Sequence, residues 1–304
     1  MKTSRKLVKY CLTALAVAVA LGASAAMSDE LEQRRQVLLE MLSDPGIFPV
    51  RHDYGTSKIR SREWQFYHAS LAQGIRVEEA NEFFASLPVQ RDEWLSLMLL
   101  NTFCEFEHVL APPAKSRMRE IILSYANGLA QNDLSAITAV NNENHLINWK
   151  AVYLLAQQKF GLQDPSRCDE AKESLKRWIQ YRIQRGLEEF NSPHYVARSL
   201  HPLLLMFDYS DDASLRQWAQ MGIDSILGDY ALLSLSNVRG GPYYRTIFTD
   251  SFEDIAPRDE NRNGFDDHLY EVGYLLFGNC APPRYRKNDY HYLVPCIVTT
   301  SYRL

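Results

Sequence analysis

Apolar residues recur at three- and four-residue steps through most of the chain, and this spacing predicts α-helices. In SDDASLRQWAQMGIDSILGDYALL the apolar side chains share one face, and Ser210-Asp211-Asp212 ahead of them supply helix caps. RCDEAKESLKRWIQYRIQRG places apolar residues opposite charges and ends at Gly186. HLINWKAVYLLAQQKFG and YVARSLHPLLLMF are apolar nearly all round, which is typical of helices enclosed by other helices. Strand-like alternation is scarce, so the pattern predicts an all-α chain of helical hairpins.

Polar clusters precede the apolar helices at a nearly constant interval. They begin at Asn144-His145, Asn191 and Arg239, so the intervals are 47 and 48 residues, and one further step reaches Arg284-Tyr285-Arg286-Lys287. An interval of this length matches one helical hairpin per repeat. Taken singly, such clusters are ordinary helix caps and turns. Their shared register predicts that they line one lip of a concave surface, where loops carry function on a rigid scaffold.

The first 26 residues have the pattern of a secretory signal peptide. Four cations precede an apolar run from Leu12 to Leu21 and the small residues Ala23-Ser24-Ala25. The run is too short to span a bilayer comfortably. We therefore expect a cleaved leader (1–26), a single domain over 27–304, no integral membrane segment after cleavage, and a secreted or periplasmic protein.

Net charge and cysteine content limit which classes of partner and which cellular compartment the sequence favours. Loss of the leader removes four cations and no acids, which takes the formal net charge from −4 to −8, so nucleic acid is not expected as a partner. Four cysteines remain, too few for a disulfide scaffold. Cys280 with Cys296 is the first candidate for a bridge, although connectivity does not follow from sequence.

Three motifs together resemble a known enzyme class. ENH, EFNSPHY and RGGPYYR, within approximately residues 90–300, are similar in order and spacing to the catalytic domains of (α/α)-toroid polysaccharide lyases of the heparinase II/III and alginate lyase type. The resemblance implies a six-hairpin-like (α/α) toroid. Those lyases commonly carry a β-sandwich after the toroid, and this chain stops at Leu304, so an incomplete toroid stays open as an alternative.

The resemblance also implies roles for individual residues. In those lyases an Asn, often with a His or Arg, neutralises the uronate carboxylate, a Tyr or His removes the C5 proton, and a Tyr protonates the leaving oxygen. The side chains expected in catalysis are Asn144, His145, His194, Tyr195 and Tyr244. Those expected to bind substrate are Glu143, Asn191, Arg239, Tyr243 and Arg245.

The chemistry of these side chains, taken without the resemblance, also suits β-elimination. An asparagine amide donates to a carboxylate without adding charge, and an arginine does so as a charged fork. Histidine or tyrosine serves as base and acid, and a tyrosine base needs a nearby arginine to lower its pKa. Which side chain is the base stays open, and His108 and His201 are interpreted as structural.

A second constellation follows the first half of a calcium-binding loop. RDENRNGFDDHLYE places oxygen ligands at alternate positions and a glycine sixth, in the order Asp259, Asn261, Asn263, Gly264 and Asp267. The glutamate expected at the twelfth position is replaced by Tyr270. We therefore expect a structural calcium ion or a plain polar loop here, and no other cofactor is required.

Three functions remain open on the sequence. The first is a lyase that cleaves an acidic polysaccharide or oligosaccharide by β-elimination. The second is a glycoside hydrolase on the same toroid, whose acid and base would be drawn from Glu143, Glu188, Glu189 and Asp250. The third is a non-catalytic glycan-binding protein, for which an incomplete toroid would suffice.

Overall fold

The chain folds as a succession of helices joined by short connections. The computed structural model describes residues 29–47, 57–138, 143–188, 192, 195–235, 238–239, 270–277 and 294–302. The helices are α1 (29–42), α2 (Ser57–Ala72), α3 (Val77–Ser86), α4 (Glu93–Phe106), α5 (Pro112–Ala126), α6 (Glu143–Phe160), α7 (Cys168–Arg185), α8 (Tyr195–Tyr209), α9 (Ala213–Leu233), α10 (Tyr270–Phe277) and α11 (Val294–Thr299). A 3₁₀ turn, Asn127–Gln131, follows α5.

Local sequence signals set several helix ends. The Asp92 carboxylate accepts a hydrogen bond from the backbone N–H of Leu95 at 3.0 Å and caps α4. Asp212 caps α9 in the same way through Ser214 and Leu215, as the capping cluster predicts. Gly186 follows the last residue of α7 with φ of 76°, a conformation that costs glycine little.

Buried and half-exposed helices alternate along the chain. Most of α4, α6 and α8 and the stretch 63–71 of α2 are buried, whereas α7 and α9 bury one face each. Each buried helix packs on the next, α2 on α4, α4 on α6 and α6 on α8, while α3 packs on α5 and α7 on α9. The short helix α11 packs on both α2 and α8. The prediction that α6 and α8 are enclosed is confirmed.

The all-α class is confirmed for the described residues. Their one sheet is a two-residue antiparallel ladder, which pairs Ser234–Leu235 with Val238–Arg239. Within the same residues, none of the helices combines the length and the apolar character that a membrane crossing requires. The predicted signal peptide lies outside the described residues.

Two buried histidines carry polar contacts into the core. His68 on α2 bonds through Nδ1 to the Thr102 hydroxyl at 2.8 Å, and His201 on α8 bonds through Nε2 to the Cys296 thiol at 2.7 Å. Burial lowers the pKa of His68 from 6.5 to about 3. Burial, and then the nearby His68, lower the pKa of His201 to about 3. Both imidazoles are therefore neutral in the folded protein at ordinary pH.

Acidification below pH 6.5 should destabilise the fold through these histidines. Between pH 6.5 and about 3 the unfolded chain binds protons that the folded chain does not, so stability falls by about 1.4 kcal/mol per pH unit for each histidine. Glu105 offsets part of this loss of stability. Burial and the nearby Asp208 raise its pKa to about 7, so below that pH the folded chain binds a proton at Glu105 more readily than the unfolded chain does. Urea unfolding of wild type and His201→Asn at pH 7 and pH 5 checks the prediction. The wild type should lose more stability than the variant, and equal losses would contradict it.

Candidate functional site

Polar and aromatic side chains gather in the first two turns of the three buried helices α4, α6 and α8. The rim cluster, as we name it, consists of Glu93 and Trp94 on α4, His145 and Asn148 on α6, and Tyr195 and Arg198 on α8. Helix α6 packs on both α4 and α8. His145 lies beside Trp94, and Arg198 stacks on both Trp94 and Tyr195, so a chain of contacts links the starts of the three helices. That the lead-ins of α6 and α8 form one catalytic site stays a prediction.

Glu93 and His145 form a carboxylate–imidazole pair across α4 and α6. Both carboxylate oxygens of Glu93 lie 2.8 Å from Nδ1 of His145. The His145 side chain is 30% exposed and that of Glu93 is 17% exposed. Within the described residues, Nε2 of His145 has no hydrogen-bond partner. A carboxylate on Nδ1 fixes the imidazole tautomer that carries its lone pair on Nε2, so the pair is arranged to accept a proton there.

A second donor holds the Glu93 carboxylate in place. The Asn148 amide donates to Oε1 of Glu93 at 3.0 Å. The Glu93 charge also acts on Tyr125, since burial, followed by that charge, raises the Tyr125 pKa well above its ordinary value. Tyr125 therefore keeps its proton. With His145 and Asn148 both bonded to it, Glu93 is positioned to hold His145 rather than to react itself.

A guanidinium and two aromatic rings form the wall next to this pair. The guanidinium carbon of Arg198 lies 4.5 Å from the ring centroid of Trp94 and 5.6 Å from that of Tyr195. The ring centroids of Trp94 and His145 are 5.4 Å apart. Stacking on aromatic faces restricts the side chain of an arginine and keeps its charge in place. A fixed cation thus lies on the same rim as the partly exposed imidazole of His145.

Glu143, the residue before Asn144, belongs to a buried ion network. Its Oε2 lies 3.0 Å from Nε of Arg182 and accepts the backbone N–H of Glu188 at 3.0 Å. Arg182 also donates to Glu188 Oε1 at 3.1 Å and to the Ile137 carbonyl at 3.3 Å. The Glu143 side chain is 1% exposed. This geometry joins the start of α6, the loop before it at Ile137 and the loop after α7 at Glu188 through Arg182, which gives Glu143 a structural role. Its predicted contact with a substrate stays a prediction.

Asn144 points into the protein. It is completely buried, and neither atom of its side-chain amide has a hydrogen-bond partner in the part of the chain that the structure describes. Its predicted hydrogen bond to a substrate carboxylate stays a prediction. The partly exposed member of this turn is His145, one residue later.

The other predicted site residues lie beyond what the structure describes. Outside the described residues fall Asn191, His194, Tyr243, Tyr244 and Arg245, together with the predicted calcium ligands Asp259, Asn261, Asn263 and Asp267. Of Arg239 only the backbone is described, in the second strand. Cys296 is a free thiol, so the suggested bridge from Cys280 is not formed.

Sequence reasoning missed Glu93, Trp94 and Arg198. A usable signal existed in RDEWL, where acidic residues lead into an apolar helix 51 residues before Asn144. One backward step of 47 or 48 residues from Asn144 ends at residues 96–97, three or four residues past Glu93. Arg198 gave no such signal, because it lies inside the helix rather than ahead of it.

Comparison with known proteins adds no relative. No family model matches the chain, and neither the curated proteins nor the solved structures contain a significant match.

Proposed function

We propose that the protein is a secreted or periplasmic lyase that cleaves a uronate-containing polysaccharide by β-elimination at the rim cluster. The observation that carries this proposal is the contact of His145 Nδ1 with both oxygens of Glu93 at 2.8 Å, on an imidazole that is partly exposed. This arrangement suits an imidazole that accepts a proton at Nε2, because the Glu93 carboxylate at Nδ1 stabilises the positive charge that the ring then carries.

In the proposed reaction, His145 removes the proton at C5 of the uronate. Electrons from that C–H bond form the C4–C5 double bond, and the C4–O bond breaks toward the leaving sugar. Tyr195, on the neighbouring helix, donates a proton to the leaving oxygen. The developing enolate needs a nearby positive charge or hydrogen-bond donor, because the C5 proton is only weakly acidic.

Arg198 is the described cation best placed for the uronate carboxylate. Its guanidinium is stacked on Trp94 at 4.5 Å, and Trp94 in turn lies beside His145. A guanidinium binds a carboxylate through two parallel hydrogen bonds. Trp94 offers an aromatic face on which a sugar ring can pack. We assign to Arg198 the carboxylate-binding role that was expected of Asn144 and of Arg239 or Arg245.

The proposed scaffold is an (α/α) toroid. Helices α2, α4, α6 and α8 would form its inner ring, and α11 would close the ring because it packs on both α8 and α2. Helices α3, α5, α7 and α9 would form the outer layer, in keeping with their exposed faces. An inner ring places the first turns of α4, α6 and α8 on one rim.

A hydrolase on the same scaffold has less support. Arg182 and a backbone N–H hold Glu143, and Arg182 also holds Glu188, so neither of these two carboxylates is available for acid–base work. The other two candidate acids, Glu189 and Asp250, lie outside the described residues.

Glu93 is likewise engaged, by His145 and Asn148. The partly exposed imidazole of His145 favours elimination.

The test is an assay that separates elimination from hydrolysis and from binding. The mature protein is incubated with alginate, a pectic polyuronate and a heparin-type glycan, and the ultraviolet absorbance of the unsaturated product is followed. A rise with at least one polymer is expected. New reducing ends without absorbance would favour a hydrolase, and binding without turnover would favour a glycan-binding protein; both results contradict the lyase proposal.

Replacing Glu93 by glutamine should lower kcat by about tenfold or more, because an amide accepts less strongly from His145 Nδ1 and no longer stabilises its positive charge. KM should change little, since Glu93 does not touch the substrate. The exposed acid Glu78, replaced by glutamine, serves as the control. Equal turnover in the two variants would contradict the positioning role of Glu93.

A further inference from the structure

A second indole lies beside the His145 imidazole. The ring centroids of Trp149 and His145 are 6.5 Å apart, with 52° between the ring planes, and those of Trp94 and His145 are 5.4 Å apart. Trp149 follows His145 by about one turn of α6. Among the described residues, the two indoles make no ring contact with each other. The neighbourhood of the imidazole therefore has two separate aromatic surfaces, one on α4 and one on α6.

Both of these indoles are only partly buried, unlike the tryptophans of the core. Trp64 and Trp178 are 0% and 1% exposed, whereas Trp94 and Trp149 pack against the core with part of the ring and keep the rest accessible. Core packing holds such a ring in one orientation. A fixed indole offers a large amphipathic contact surface at a small cost in conformational entropy.

Charge distinguishes the two indoles. Arg198 stacks on Trp94 at 4.5 Å, so that ring shares its surroundings with a cation. In the part of the chain that the structure describes, no arginine or lysine stacks on Trp149, and its Nε1 donates to no group. Trp149 thus combines an aromatic face with an N–H donor and no charge. These are the features that suit the C–H face and the hydroxyls of a sugar ring.

We propose that Trp149 is a second sugar-binding platform, which holds the sugar unit next to the uronate that Arg198 and His145 engage. The inference rests on the proposed function, because it takes His145 as the group that meets the reacting unit. β-Elimination breaks a bond between two sugar units, so both units lie at the site. The unit on Trp149 is recognised by stacking and not by its carboxylate. The substrate is therefore a chain in which only the unit beside Arg198 has to be a uronate.

The test measures the Kd of an oligouronate tetramer and of its carboxyl-reduced form by isothermal titration calorimetry, in the His145→Gln background so that the chain is not cut. Trp149→Leu should raise both Kd values by about tenfold, because stacking does not depend on the carboxylates. Arg198→Met should raise only the Kd of the acidic tetramer. Trp218→Leu, which removes another partly buried indole on α9, is the matched control and should change neither value.

Three results would overturn the platform. They are equal Kd values in Trp149→Leu and Trp218→Leu, a loss in Trp149→Leu that is confined to the acidic tetramer, and no binding of either tetramer by the His145→Gln parent. If wild type forms the unsaturated product while Trp149→Leu keeps its affinity, the lyase function stands and the platform fails. If Trp149→Leu loses affinity for both tetramers while wild type forms no product, the platform stands and the lyase function fails.

A second measurement applies to the wild type and does not depend on the folding of the leucine variant. The indole N–H signal of Trp149 is assigned by its absence from Trp149→Phe, and the carboxyl-reduced tetramer is titrated. That signal should shift, while the signal of Trp178, whose Nε1 is enclosed, should stay in place. An unmoved Trp149 signal at saturating ligand would contradict the stacking contact.

Discussion

Replacing His145 by glutamine should lower kcat on a uronate polymer by about 10²–10⁴-fold, because the variant keeps a polar side chain of similar reach but has no group that takes the C5 proton. KM should change little, since the proposed carboxylate contact is made by Arg198. The measurement is initial rate by ultraviolet absorbance over a range of polymer concentrations, with circular dichroism to show that the fold is retained.

The control for this prediction is a second histidine. His108 is exposed near the end of α4, far along that helix from Glu93, and His108→Gln should retain wild-type turnover. If both variants keep full activity, His145 is not the base, and the reaction is carried by another residue. A loss of activity in both would point to a general effect of histidine replacement.

Replacing Arg182 by methionine should destabilise the protein by about 3–5 kcal/mol, because it leaves the Glu143 carboxylate buried without its cation. The pair is nearly inaccessible, with side chains 5% and 1% exposed. Two loops also lose their anchor, since Arg182 bonds to Glu188 and to the carbonyl of Ile137. The free energy of unfolding in urea at pH 7 measures the effect.

Arg185→Met is the matched control, because Arg185 lies on the same helix and is exposed. It should change stability by about 0.5 kcal/mol or less. The double variant Arg182→Met/Glu143→Met should recover much of the loss, since it removes the unpaired charge. A stability of Arg182→Met equal to that of Arg185→Met would show that the buried ion pair contributes nothing.

Helix positions and ends could be predicted from sequence because they depend on local signals. The cap at Asp212 and the stop at Gly186 are properties of a few adjacent residues, and the structure confirms both. The enclosed character of α6 and α8 followed from apolar residues on all faces. The order in which helices pack around one another depends on contacts distant in sequence, and no local pattern records it.

The candidate site was only partly predictable for the same reason. The repeat placed His145 and Tyr195 at corresponding helix starts, and the structure brings these starts together through Trp94 and Arg198. Within one turn, however, successive side chains point about 100° apart, so sequence alone did not reveal that Glu143 and Asn144 face inward while His145 is partly exposed. The Glu93–His145 pair joins residues 52 positions apart.

The surroundings of Cys296 show most clearly which contacts cannot be predicted from the sequence. Spacing suggested Cys280 as the partner of Cys296, whereas the structure places Cys296 against His201, 95 residues earlier in the chain, and Asn101. Nothing in the sequence next to any of the three residues indicates that contact. It arises because α4, α8 and α11 converge in the core.

Nuclear magnetic resonance of the protein labelled with ¹⁵N-histidine tests the central claim most directly, namely that the His145 imidazole meets a bound acidic sugar. The His145 signals are assigned by their absence from His145→Gln, and an oligouronate and its carboxyl-reduced form are titrated in parallel. We predict that the Nε2 signal of His145 shifts with the oligouronate and much less with the reduced form, while the buried His68 and His201 signals stay in place. Unchanged His145 signals with both ligands, under conditions where either one binds, would contradict the account.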